Sequence, residues 1–144
     1  MPAITPPSAI VEPFAVNGLR NAIPVPSQVA ITPGAASFND GFPVLTMTDE
    51  SAGGVPPDGK DMNGILFAVS AYCAWLQAGG YFTWSAAVAS AGGYPVGAVI
   101  RSAADLTKLW YNTVADNAND PDVTPTGWTQ YSLAGTGSGG TGVQ

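Results

Sequence analysis

The run Gly53-Gly54-Val55-Pro56-Pro57-Asp58-Gly59-Lys60-Asp61-Met62-Asn63-Gly64 leads straight into Ile65-Leu66-Phe67-Ala68-Val69-Ser70-Ala71-Tyr72-Cys73-Ala74-Trp75-Leu76-Gln77, and the two together decide how the chain is organised. The first half, through Gly59, is a loop of turn-forming residues. The second predicts a helix from about Asp61 to Ala78. Asp58 or Asp61 can accept bonds from the free N–H groups at its start, and negative charge there suits the helix dipole. Gly79-Gly80 supplies a left-handed stop. Gly64 sits in the first turn, where its cost is modest. From Ile65 to Gln77 no residue carries a charge, and a helix that is apolar all round must be buried all round. Two coverings are open. One is symmetry mates, with three helices about an axis, which makes Leu66, Val69, Tyr72, Cys73 and Leu76 an oligomer interface. The other is the chain's own arm and β region wrapped around a central helix.

Upstream, residues 1–34 carry prolines at positions 2, 6, 7, 13, 24, 26 and 33. Each fixes φ, removes a donor and pushes its predecessor to extended backbone, so no regular element is expected there. Ile10, Val11, Phe14, Val16, Leu19 and Ile23 are nevertheless too apolar for a solvated linker. An extended arm that docks on a partner fits both facts, and so does a leader that packs on its own domain. The start, Met1-Pro2-Ala3-Ile4-Thr5, has neither the charge nor the apolar core of a secretory signal, so synthesis in a cytoplasm, and solubility until the chain joins a partner, are expected. Residues 35–91 read as irregular structure around the helix, with 81–91 undecided between a strand and a short helical turn.

Downstream the pattern changes. Val96–Ser102, Leu109–Val114 and Trp128–Leu133 read as three short strands in a small antiparallel β module spanning 92–133. Residues 134–144, rich in glycine, read as a flexible tail. The fold class expected is α+β and oligomeric, built from an extended arm, one central buried helix and the β module.

Composition sets limits. Of 144 residues, 22 are alanine and 31 are Leu, Ile, Val or Phe, so large aliphatic groups are scarce. Ten acidic residues face four basic ones, and the cations Arg20, Lys60, Arg101 and Lys108 stand singly. Nucleic acid requires clustered cations to displace condensed counterions, so no nucleic-acid partner is expected. The longest apolar stretch, Ile65 to Leu76, is too short for a bilayer, so no membrane insertion is expected. Without histidine, His-based catalysis and His metal ligation are closed. The one cysteine, Cys73, lies in the most apolar segment and reads as an inert buried thiol. No cofactor is expected.

Paired carboxylates can run glycoside hydrolysis, but nothing in the sequence sets the acidic residues across a cleft. Asp58 and Asp61 read as helix caps, and Asp116, Asp120 and Asp122 as turn formers. The loop 116–122 lacks the glycine and glutamate of a calcium loop, and Pro121 breaks its ligand spacing. In the last third, Trp110 and Trp128 read as core, with Tyr111 and Tyr131 the better candidates for exposure. Tyr94, Tyr111 and Trp128 form the alternative set, rings on which a glycan could stack.

Three segments in order carry a resemblance: Phe14-Ala15-Val16-Asn17-Gly18 with Ile23-Pro24; Gly41-Phe42-Pro43, Thr46-Met47-Thr48 and the run Gly53 to Gly64, with Gln77-Ala78-Gly79-Gly80; and Gly92-Gly93-Tyr94-Pro95-Val96-Gly97-Ala98-Val99 with Asp116-Asn117, Asp120-Pro121 and Gly127-Trp128. Together they resemble the N-terminal, virion-anchoring region of tail fibre proteins of tailed bacteriophages (siphophages) and prophages, over about residues 14–130. The spacing of Tyr94, Trp110 and Trp128 is also similar to small carbohydrate-binding modules of the chitinase type. The first resemblance implies a non-enzymatic homotrimer in the virion, made in the bacterial host cytoplasm. It implies docking on tail-tip or baseplate proteins and support of host attachment. The second implies a module that recognises host surface glycan. Tail fibre proteins usually continue past a Gly/Thr-rich junction, whereas this chain stops at Gln144. It therefore reads as a short baseplate-associated subunit or as the anchoring part of a longer fibre.

Overall fold

Helix α1 forms where local chemistry demands it. In the computed structural model, which describes residues 6–132, it spans Gly59–Gln77. The Asp58 side chain caps it by accepting from the Lys60 N–H at 2.8 Å. Gly79, at φ 82°, takes the left-handed conformation that ends it. The predicted limits were Asp61 and Ala78.

The chain divides into two compact units at Gly80/Tyr81. Residues 81–91 therefore belong with the β module rather than with the helix.

In the first unit, residues 6–34 form no helix or strand, and residues 10–21 run along α1 in the opposite direction. Proline-rich backbone still has to satisfy its remaining N–H and C=O groups, and polar side chains spaced about two turns apart on α1 do this. Gln77 exchanges two hydrogen bonds with the backbone of Ile10. Ser70 Oγ accepts from the Phe14 N–H at 2.7 Å. Asn63 donates to the Leu19 carbonyl at 2.8 Å. At the bottom of the ladder the Asn21 N–H donates to the Lys60 carbonyl at 3.0 Å, and Arg20 stacks its guanidinium 3.9 Å from the Phe67 ring centre. A Cβ at Gly64 would run into the Asn21 carbonyl oxygen, so glycine here permits the arm's close approach rather than merely being tolerated.

Asp61 closes the unit. It is buried, and its two carboxylate oxygens take bonds from Asn21 Nδ2 at 2.7 Å and from the Ala36 N–H at 2.8 Å. It therefore ties three segments rather than capping the helix. Two 3-10 turns, Val44–Met47 and Glu50–Ala52, fill the stretch between.

The expectation of a buried central helix needs correction. Within the described chain only Asp61 and Gly64 of α1 are buried. The arm is a single extended layer, and one such layer covers one side of a helix.

The second unit is α+β. Strands β1 (Val99–Arg101), β2 (Lys108–Asn112) and β3 (Trp128–Ser132) form an antiparallel meander in that order. The register pairs Ile100 with Trp110 and Asn112 with Trp128. Residues 81–91 combine both predicted conformations: Thr83 bridges Arg101 in parallel, and α2 is a single short helix, Ala86–Ser90. The core is Tyr94, Ile100 and Trp128, with Trp84, Ala98 and Trp110 packed against it. Asn112 is wholly buried and donates to the carbonyls of Tyr94, Pro95 and Val114 while accepting from Asn117. The predicted flexible tail, 134–144, lies outside the described residues, as do Met1–Thr5 of the arm.

Replacing Asp61 by Ala strips acceptors from two donors at the buried junction. A loss of about 3 kcal/mol of stability in the helical unit is expected. Urea unfolding followed by far-UV circular dichroism checks it, with faster proteolysis before residue 36 as the second readout. An unchanged midpoint would show that Asp61 does not close the unit.

Candidate functional site

Two surfaces carry the residues singled out by sequence. The first is an exposed apolar stripe of α1 that runs beside the arm. Met62, Leu66, Val69, Cys73 and Leu76 follow one another at alternating intervals of four and three residues. That is the heptad spacing of a coiled-coil seam. The four non-cysteine members are 40–55% exposed, and Cys73 is an exposed free thiol. Tyr72 flanks the seam and is also exposed. The buried-thiol reading of Cys73 is thus corrected: the residue lies on the seam, where this chain offers it no cover. Met62 belongs to the same stripe and was missed, although continuing the spacing one step back from Leu66 finds it.

The arm residues divide. Ile10 and Phe14 line a groove of about 330 Å³ with Leu66, Val69, Ser70 and Cys73, so arm and seam share one surface. Ile23 is partly covered, while Val16 is exposed. Val11 and Leu19 project outward at 87% and 76% exposure. The arm is therefore held through its backbone, leaving these apolar side chains free. A second apolar groove, about 520 Å³, is lined by Val29, Pro33, Phe42, Pro43, Val44 and Met47.

The second surface is the β module, and here the predicted glycan-stacking set breaks up. Tyr94 and Trp128 are each only 7% exposed and meet edge to face at 5.4 Å between ring centres. Their polar ends are also engaged: Tyr94 Oη accepts from the Ser85 N–H, and Trp128 Nε1 donates to the Asn119 carbonyl. Neither offers an open face, because a three-stranded sheet needs aromatic filling. Tyr111 and Tyr131, at 44% and 66% exposed, lie on the opposite face.

The carboxylates are structural. Asp120 accepts from the Asp122 N–H, and Asp116 occupies the left-handed region at φ 51°. Asp122 reaches across to join the loop after β1 to β2, accepting from the N–H groups of Ala103 and Ala104 and from Trp110 Nε1. Partial burial pushes its carboxyl up. The Ser102 hydroxyl, the Trp110 indole and the two backbone N–H groups together outweigh that and hold it below the ordinary aspartate value. Among the described residues no three Cys, Asp or Glu side chains gather as a metal site, and no helix is long and apolar enough to cross a membrane. No family model and no curated protein matches the chain.

A depressed folded-state pKa means that Asp122 contributes stability that is fully present above the unfolded value of about 3.9. It is lost as pH falls through the lower folded value. Asp122→Asn should therefore unfold more easily at neutral pH, and the difference from wild type should shrink as pH drops below about 4. Asp105, held low by Thr107, titrates in the same window in both proteins. Subtracting the two thermal melts isolates Asp122; a difference that does not change with pH would remove it as the acid-sensitive tie.

Proposed function

We propose that this chain is a structural, non-enzymatic component of a bacteriophage tail fibre that assembles as a homotrimer and attaches to the tail tip or baseplate. The observation that carries this is the exposed heptad stripe Met62, Leu66, Val69, Cys73, Leu76. It is uncharged, and it runs along α1 beside the arm, whose Ile10 and Phe14 line a groove with Leu66, Val69 and Cys73. These side chains are about half exposed, so covering the rest of each is worth about 1 kcal/mol, and the contributions of three chains add. A supercoiled bundle is the packing that heptad spacing favours. The phage assignment and the trimeric number rest on the resemblance of the Gly53–Gly64 run and its flanking segments to virion-anchoring regions. Docking is assigned to the outward side chains of the arm, Val11 and Leu19 first among them. In the virion this anchoring part would support host attachment by fixing a fibre.

The alternative of a glycan module built on Tyr94, Tyr111 and Trp128 loses two of its three faces to the core, and we do not propose it in that form.

Val69→Glu places a charge in the centre of the stripe on a side chain that the single chain leaves in solvent. Sedimentation equilibrium should show a trimer for wild type. The variant should associate at least about 100-fold more weakly, with helical circular dichroism intact per chain. A wild-type monomer at micromolar concentration would overturn the oligomer.

Val11→Asp with Leu19→Asp leaves every arm-to-helix hydrogen bond in place. It should reduce incorporation into assembled tails, scored by immunogold labelling of particles, while trimerisation persists. Normal incorporation would remove the arm from the docking surface.

A further inference from the structure

The apolar stripe fixes a heptad lettering for α1, and the lettering sorts the two flanks of the helix. With Leu66 and Cys73 at position a and Met62, Val69 and Leu76 at d, the e positions are Asn63, Ser70 and Gln77. These are the three side chains that bond the backbone of Leu19, Phe14 and Ile10. The arm's fastenings thus repeat in phase with the stripe and hold the arm along one flank of it. The opposite flank, position g, carries Ile65 and Tyr72. Ile65 is partly covered, whereas Tyr72 is 59% exposed.

On the e flank the arm and the helix enclose the groove of about 330 Å³. Its walls are apolar, with Ile10 and Phe14 from the arm and Leu66 and Val69 from the helix, all exposed by about half. Glu12 is the one charged group on its lining. A three-fold rotation keeps three helices parallel and makes every contact heterologous. The e flank of one copy then faces the g flank of the next. An antiparallel two-fold pair would instead set arm against arm.

We infer that this groove is the seat of Tyr72 from a second copy of this chain, so that the arm forms one wall of the oligomer interface. A chain's own Tyr72 lies on the wrong flank to fill its own groove, and the site is complete only when the next copy supplies the ring. Tyrosine fits the lining chemically. Its apolar body meets Ile10, Phe14 and Leu66, and its hydroxyl donates to the Glu12 carboxylate. Helical side chains lean back toward the N-terminus of their helix. Tyr72 of the neighbour therefore covers the level of Val69 and Ser70, where the Phe14 N–H is fastened. The arm's side chains divide accordingly: Ile10 and Phe14 face the next copy, while Val11 and Leu19 project outward.

This packing rests on the trimeric reading of the stripe, and the two fail separately. Benzoylphenylalanine is placed at position 72 of the full-length protein and irradiated, and the oligomer-sized adducts are digested and mapped by mass spectrometry. Adducts to residues 10–14 of another copy are expected. Tyr72→Ala and Phe14→Ala should each weaken association at least about tenfold in sedimentation equilibrium. The double variant should lose little more than either alone, because both remove the same contact. Helical circular dichroism per chain should not change in Tyr72→Ala. A wild-type trimer whose residue 72 crosslinks elsewhere, or in which Tyr72→Ala associates as tightly as wild type, would overturn the seat and leave the trimer standing. Crosslinks joining arm to arm would overturn the three-fold arrangement on which the seat depends. A wild-type monomer would overturn both.

Discussion

Asp61 is the residue through which the helical unit holds together. A chain with so many prolines before residue 35 cannot satisfy its backbone by forming a sheet or helix there. Its N–H and C=O groups must find partners elsewhere, and a buried carboxylate accepts two donors from segments distant in sequence, Asn21 and Ala36. Once that junction is made, the arm's direction is set, and Asn63, Ser70 and Gln77 meet its backbone farther along α1. Gly64 is the steric counterpart of the same constraint. Only a missing Cβ lets the Asn21 carbonyl come close enough for Asp61 to be reached.

The β module meets a similar need with a neutral amide. Asn112 is wholly buried at the end of β2, and its side chain gathers the carbonyls of Tyr94, Pro95 and Val114 around one position. This fixes the irregular segment before β1 against the sheet and brings Tyr94 onto Trp128. In both units, then, a polar side chain does what a scarcity of large aliphatic groups leaves undone. Burying a hydrogen-bonding group with every partner in place is tolerable, and it specifies one arrangement more sharply than alanine can.

What was legible in the sequence was local. The helix limits and the three strands were recoverable because caps, glycine stops and period-2 runs act over a few residues. The seating of the arm was not, because its signal is polar residues on α1 at positions 61, 63, 70 and 77, which look like ordinary surface until a partner backbone is known. The strand aromatics were legible: alternation set Trp110 and Trp128 apart from Tyr111 and Tyr131, and the structure puts the tryptophans on the core face and the tyrosines in solvent. Tyr94 precedes β1, outside any strand period, so nothing in its spacing announced burial.

The uncharged helix makes the remaining point about where cohesion is to be found. If the arm had covered α1 completely, the absence of charge would be explained within one chain. It runs beside Leu66 and Val69 and leaves Met62, Leu66, Val69 and Leu76 about half exposed at heptad spacing. Spacing of this kind aligns knobs with the holes of another helix. On α1, polar residues recruit backbone from the same chain, and the neighbouring apolar stripe is the surface on which the proposed trimer rests.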